Sequence, residues 1–145
     1  MLTRRTALIV KLLSAMDVGT TRLAGRAVRD FHAMPQDRQS EHVEGVARIL
    51  LGLERFEAAE RFIWPHLMDG TQYQWWKLPL VLGYIEAKVG RGLDHEAESL
   101  ISHLKPRLAI ARQNGTIKRE ALDQAGMRLL SLERRILERK QRGPA

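Results

Sequence analysis

The sequence predicts an all-α fold, and three observations lead to that prediction. Apolar residues recur at helical spacing along most of the 145-residue chain. No segment shows the alternation of apolar and polar residues that is typical of a half-buried strand. Short polar or glycine-containing segments interrupt the helical pattern at intervals that suit helices of about 10–15 residues. Because 44% of the residues are hydrophobic, we expect one domain with its own core, 1–145.

The N-terminal segment 1–35 is predicted to form a helix pair. A first helix spans about residues 2–16 and ends in the segment DVGT. Thr20 or Thr21 caps a second helix. That helix ends before Pro35, because the residue that precedes a proline avoids the helical conformation.

Residues 40–105 are predicted to contain four further helices. Ser40 begins the third helix after the polar linker PQDRQSE, and acidic residues in its first turn favour that start. The fourth helix begins near Arg55, and Pro65 either bends it or ends it near Trp64.

The turn segment MDGTQY separates the fourth helix from the fifth. The fifth helix begins at Trp75 or Pro79 and reaches Val89, where the segment GRG interrupts it. Asp94 caps the sixth helix, which ends before Pro106.

The longest helix is predicted last, over residues 116–140. Asn114-Gly115 is a strong turn signal, and Thr116 follows it as a helix cap. Leucine, isoleucine and alanine then recur with the 3-4 spacing of a short coiled-coil seam. The seam residues are Leu122, Ala125, Leu129, Leu132 and Ile136, with Leu130 and Leu137 beside them.

Two segments of the chain resemble each other at a spacing of 38 residues. Aligned without gaps, residues 45–63 and 83–101 are identical at five of nineteen positions. The identical pairs are Gly45/Gly83, Gly52/Gly90, Ala59/Ala97, Glu60/Glu98 and Ile63/Ile101. Glycine at the end of a first helix allows a left-handed cap, and small residues on facing helices allow close approach. A period of this length is typical of helical repeat arrays.

The repeated unit resembles the tetratricopeptide repeat, a helix-turn-helix unit. The residues that carry the resemblance are Gly83, Gly90 and Ala97, with Leu82 before them and Pro106 after them. The resemblance implies a right-handed array of antiparallel helix pairs, with two degenerate copies in residues 40–105 and a longer C-terminal capping helix. The period exceeds the usual 34 residues of the family, and an ordinary helical bundle with coincidental glycines is the alternative.

Charge is distributed unevenly along the chain. Residues 1–30 carry a net charge of +4, residues 31–104 carry −4, and residues 105–145 carry +7. Such an asymmetry favours an interaction surface. No apolar segment approaches the length of about 20 residues that spans a bilayer, and Lys11 interrupts the signal-peptide-like start, so a cytoplasmic protein is expected.

The sequence carries no pattern typical of an enzyme or of a cofactor site. It contains no cysteine, no HExxH zinc motif, no phosphate-binding glycine loop and no dinucleotide fingerprint. We therefore expect no catalytic residue, no metal and no cofactor. The carboxylates of Glu44 and Glu57 are spaced to form ordinary i,i+4 ion pairs with Arg48 and Arg61.

Two sets of residues are predicted to contact a partner protein. The first set lies on the first helices of the two copies and in the aromatic segment YQWW, and consists of Arg48, Trp75, Trp76, Tyr84 and Lys88. The second set is a C-terminal interface on the last helix and consists of Arg128, Leu129, Leu132, Arg135 and Ile136. The seam of this helix either packs on the array and closes its end, or partly binds a partner or a second copy.

The function that these patterns favour is non-catalytic protein binding, by an adaptor or chaperone that holds a peptide or helix. The resemblance to the tetratricopeptide family adds secretion or assembly chaperones to the expectation. The alternative is a nucleic-acid-binding or regulatory protein, because eight cationic residues decorate the last helix. These are Lys118, Arg119, Arg128, Arg134, Arg135, Arg139, Lys140 and Arg142.

Overall fold

A computed structural model describes residues 4–143, and their side chains from residue 19 onwards. The predicted all-α fold is confirmed: six helices form this part of the chain, with one short antiparallel hairpin between the third and the fourth. The helices are α1 (Arg4–Ala33), α2 (Gln36–Gly52), α3 (Phe56–Leu67), α4 (Leu78–Gly90), α5 (Asp94–Asn114) and α6 (Arg119–Arg142). The hairpin strands are β1 (Met68–Asp69) and β2 (Gln72–Tyr73).

The predicted N-terminal helix pair is wrong, because α1 is continuous from Arg4 to Ala33. The predicted break lies at Gly19, and one glycine inside a helix costs only about 1 kcal/mol. Burial of Ala24 and Phe31 in the core offsets a cost of that size. The predicted start of this helix at residue 2 lies outside the described residues.

Prolines interrupt the helices less than the sequence suggests. Pro65 lies inside α3 and Pro106 lies inside α5, which continues to Asn114. A proline removes the hydrogen bond to the carbonyl four residues earlier, here those of Arg61 and Ser102. All four of these residues are exposed, so water can reach the freed carbonyls. Among the described prolines only Pro35 separates two helices, since α2 begins directly after it.

The segment MDGTQY is a hairpin rather than a simple turn. Met68 pairs with Tyr73, and Asp69 pairs with Gln72. Gly70 has a φ of 63°, a left-handed conformation that glycine adopts without steric cost. Strands of two residues are too short to show an alternating pattern, which is why the sequence did not predict them.

Helix α4 lies at the centre of the fold, between α2 and α6, and it also packs against α3 and α5. Ten of its thirteen residues are buried. A helix that is apolar on every side is expected in such a central position. Helices α2, α4 and α6 therefore lie side by side, α3 packs against α2 and α4, and α5 packs against α4 and α6.

The α2–α3 and α4–α5 turns have the same geometry at a spacing of 38 residues. In the first turn the amide groups of Leu53, Glu54 and Arg55 donate hydrogen bonds to the carbonyls of Ile49, Leu51 and Leu50. In the second turn the residues 38 positions later make the same three bonds. The left-handed residue is Glu54 (φ 57°) in the first turn and Gly92 (φ 77°) in the second. The prediction that Gly52 and Gly90 supply this conformation is wrong, and the likeness to the tetratricopeptide family itself stays a prediction.

Small residues allow the helices to approach closely at some of the predicted positions. A Cβ atom added to Gly83 would lie 3.3 Å from a methyl carbon of Ile63 and 3.3 Å from one of Leu51. Ala59 and Ala97 are completely buried. Gly45 faces open space, so the prediction that it permits close packing is wrong.

We expect Ala97→Leu to lower the free energy of unfolding by about 1–3 kcal/mol, because three extra carbon atoms must enter a filled core. Chemical denaturation followed by circular dichroism measures the change. Ser99→Leu, at an exposed position two residues later on α5, is the control and should leave the midpoint nearly unchanged. An unshifted transition for Ala97→Leu would contradict the packing described above.

Candidate functional site

A groove crosses α2, α4 and α6 on the face where these three helices lie side by side. Its first part has a volume of about 350 Å³ and an apolar floor formed by Ala47, Leu51 and Leu80. Charged side chains surround this floor. They are Glu44 and Arg48 from α2, Glu86 from α4 and Arg128 from α6.

The groove continues toward the start of α4. This second part has a volume of about 470 Å³ and shares Glu44, Pro79 and Leu80 with the first part. It reaches Trp76 on one side and Ile117 on the other. Three helices thus form one continuous open surface that ends at an aromatic side chain.

The spacing of residues along α2 explains why the groove has this chemistry. Glu44, Ala47, Arg48 and Leu51 follow the spacing i, i+3, i+4 and i+7 and therefore lie on one face of the helix. Next to this stripe, Val43, Val46 and Leu50 are buried in the core. The groove face of α2 is the border between its buried and its solvated surface, so both apolar and charged groups occur there.

Two of the predicted partner-binding residues line this groove. Arg48 is exposed, and among the described side chains the predicted ion pair with Glu44 does not form, whereas Glu57 and Arg61 bond at 2.7 Å. The Trp76 side chain is 44% exposed at the end of the groove. Trp75 packs against the core, with its ring centroid 6.1 Å from that of Trp76.

The prediction that Tyr84 and Lys88 line an open groove is wrong. Both side chains are buried on the side of α4 that faces α3 and α5. The Lys88 ammonium lies 2.5 Å from the Glu60 carboxylate, 2.8 Å from that of Glu96 and 5.2 Å from the Tyr84 ring. Arg91 also donates to Glu60. Helical spacing places a residue on a face of its own helix, but it does not show which face the neighbouring helices cover.

The charges of this buried cluster compensate each other. Burial by itself raises the pKa of Glu60, but hydrogen bonds from Lys88 and Arg91 outweigh this effect and hold the pKa below its usual value. Burial by itself lowers the pKa of Lys88, and the bonds to Glu60 and Glu96 raise it above the usual range. Both groups therefore stay charged at neutral pH. The cluster is a network of ion pairs that joins α3, α4 and α5.

The predicted C-terminal interface is mostly inside the molecule. Leu129, Leu132 and Ile136 are at most 4% exposed, because the seam of α6 packs against α4 and α5. Arg128 and Arg135 both approach Glu86 of α4, each at 3.7 Å. The seam of α6 therefore packs within the fold, as the first of the two interpretations predicts, whereas the array itself stays a prediction. Of this set, Arg128 also lines the groove.

Several cationic residues of α6 are bonded within the chain. Arg139 bonds the Asp94 carboxylate at 2.7 Å and the carbonyl of Val89 at 2.9 Å. Lys140 bonds Glu98. Together with Arg128 and Arg135, half of the eight cationic residues thus have a carboxylate within 4 Å. Among the described residues, the other four form no ion pair: Lys118, Arg119, Arg134 and Arg142.

An aromatic cluster on the other side of the fold was not predicted. The Trp64 ring lies 5.2 Å from the Tyr84 ring and stacks on Tyr73 at 6.3 Å, and Tyr73 lies 5.6 Å from His103. Burial raises the pKa of Tyr73. The residues come from α3, the hairpin, α4 and α5, so no short segment of sequence could reveal the cluster.

The described residues form neither a metal-binding cluster nor a helix that could span a membrane. Residues 19–143 contain no group of three or more histidine, aspartate or glutamate side chains that could hold a metal ion. None of the helices, over its described residues, combines the length and the apolar composition needed to cross a bilayer. No known protein family matches the chain, and no curated protein or solved structure is significantly similar to it.

Proposed function

We propose that this chain is a non-catalytic protein-binding module of the cytoplasm, an adaptor or chaperone whose α2–α4–α6 groove holds a peptide or helix of another protein. The groove itself is the observation that carries the proposal. It combines an apolar floor, exposed charges of both signs and a half-exposed tryptophan at one end. Binding surfaces commonly have an apolar centre inside a polar rim, with tryptophan and arginine enriched among the residues that dominate affinity.

The dimensions of the groove suit a short segment of a partner. From Leu78 to Glu86 it follows α4 over about 12 Å, since a helix rises about 1.5 Å per residue. That length accommodates about two helical turns or about four extended residues. Arg48 and Glu44 have no bonded partner among the described side chains, and the 3.7 Å distance from Glu86 to Arg128 is long for a hydrogen bond. These charges can pair with a ligand without breaking a strong internal contact.

The second candidate function, binding of nucleic acid through the cationic last helix, has less support. Four of its eight cations contact carboxylates of the same chain. Only the cations that remain free could release counterions from a phosphate backbone. With fewer free charges, the helix binds nucleic acid more weakly, and its affinity changes less with salt concentration.

We expect the double variant Arg48→Glu/Trp76→Ala to bind a partner at least tenfold more weakly, because exposed arginine and tryptophan side chains commonly dominate interfaces. The partner is first captured from the native source with the tagged chain, in the presence and absence of nuclease. Its binding segment is then titrated by fluorescence anisotropy at low and at about 0.5 M salt. Arg29→Glu, at an exposed position on α1 outside the groove, is the charge-matched control.

The outcomes separate the two candidate functions. A nuclease-resistant partner that binds the control and loses affinity for the groove variant supports the proposal. Equal affinity for both variants would place the binding surface elsewhere. A captured fraction that disappears with nuclease or with salt would favour the cationic helix instead.

A further inference from the structure

Helix α6 carries a second seam, whose exposed apolar residues belong to neither of the functions above. Met127, Leu130, Arg134, Leu137 and Gln141 follow each other at intervals of three, four, three and four residues, the spacing of a coiled-coil seam. Met127, Leu130 and Leu137 are 73%, 64% and 55% exposed. At about 100° per residue, the centre of this second seam lies about 140° around α6 from the centre of the buried seam. The helix therefore presents a coiled-coil surface to solvent while its other face packs on the fold.

The charges around the second seam are incompletely paired. Arg134, in its middle, is exposed and forms no ion pair with any residue that the structure describes. Glu133, beside it, bonds Lys105 at 2.7 Å through Oε2, but its buried Oε1 accepts no hydrogen bond. Arg134 thus has no ion-pair partner among the described residues, and Glu133 beside it is paired with Lys105 alone. This short surface therefore carries one cation and one anion, which attract each other when the surface meets a second copy of itself in the antiparallel sense.

We propose that the second seam of α6 docks against the same seam of a second copy of this chain, with the two helices antiparallel. In this arrangement Leu137 packs against Met127 of the second copy, and Arg134 lies beside Leu130 and Glu133 of the second copy. The two Glu133 side chains approach the two-fold axis, where each is balanced by Lys105 and by an incoming arginine. Parallel helices would instead place the two Arg134 side chains directly against each other, and like charges in a seam oppose pairing.

A groove beside the seam adds to the surface that a second copy can fill. It lies between α5 and α6 and has a volume of about 620 Å³. Ile101 and Ile136 line it together with Leu130 and Leu137 of the seam. A two-fold interface uses the same patch on both subunits, and here each subunit supplies both large apolar side chains and space that can receive them.

The first measurement is sedimentation equilibrium of the full chain from about 1 μM to about 0.1 mM, the range in which weak to moderate dimers form. At the highest concentration we expect the wild-type chain to have a mass of twice 16.6 kDa. The double variant Leu130→Glu/Leu137→Glu should have the mass of a single chain at every concentration. The milder Met127→Lys should weaken the dimer at least tenfold. Ile110→Glu, at an exposed apolar position of α5, is the control and should remain dimeric. Circular dichroism checks that each variant is folded.

Cysteine cross-linking tests the antiparallel orientation, because the chain has no cysteine of its own. In Met127→Cys/Leu137→Cys the two thiols are about 15 Å apart along one helix, too far for a bond within the chain. Mild oxidation should give a covalent dimer of this variant, whereas Met127→Cys alone should stay largely uncross-linked. A monomer at all concentrations, or a dimer unchanged by both seam variants, would overturn the proposal. Equal cross-linking of the single and double cysteine variants would overturn the antiparallel pairing.

Discussion

Gly90→Ala should lower the free energy of unfolding by about 2 kcal/mol, although alanine is the better helix former. Gly90 is the last residue of α4, and a Cβ atom there would lie 2.4 Å from the ring of Phe56 at the start of α3. Side chains do not approach so closely, so the ring or the helix end must move. The cost of overpacking exceeds the gain in helix propensity, which is at most about 1 kcal/mol.

Gly52→Ala is the matched control, because Gly52 ends α2 as Gly90 ends α4. A Cβ atom at Gly52 meets no atom within 4 Å. We expect this variant to be unchanged or up to about 0.5 kcal/mol more stable. Urea denaturation of both variants measures the difference in the free energy of unfolding. The comparison requires that both variants show the same dependence of this free energy on urea concentration. Equal effects at the two glycines would show that the close approach between Gly90 and Phe56 does not limit the packing of α3 on α4.

Lys88→Met should destabilise the fold by about 3 kcal/mol, the lower end of the range for breaking a buried ion pair. The side chains of Lys88 and Glu60 are 11% and 15% exposed, so water compensates little for the lost ammonium. Arg91 remains bonded to Glu60, which is why the lower end of the range applies. The double variant Glu60→Leu/Lys88→Met removes both charges and should recover most of the loss, because an apolar pair of similar size can replace a buried ion pair.

The pH dependence of unfolding gives a second readout of the same cluster. The pKa of Glu60 is lower in the folded chain than its ordinary value of 4.5. Its contribution to stability is therefore fully present above that value and is lost as the pH falls through the lower, folded pKa. The wild type should lose this contribution in acid, and the double variant should show a shallower acid transition. Identical acid transitions would indicate that the cluster does not stabilise the fold.

The candidate groove could be predicted only in part from the sequence. Arg48 and Trp76 were predicted and lie in the groove, because exposed polar and aromatic residues beside an apolar stripe are visible in the helical pattern. Glu86, Leu51 and Leu80 were missed, since their role depends on how α2 and α6 lie against α4. No spacing within one helix contains that information.

The sequence by itself determined which segments are helical and where most of the turns lie, because helical periodicity, glycine and proline act locally. The apolar composition of α4 accounts for its central position, but the sequence analysis did not predict that position. Only the tertiary structure decided which faces are free. It buried Tyr84 and Lys88 in an ion-paired cluster, buried the predicted seam of α6 and exposed the second one. The physical reason is that exposure depends on contacts between residues far apart in the chain, and those contacts form when the helices pack.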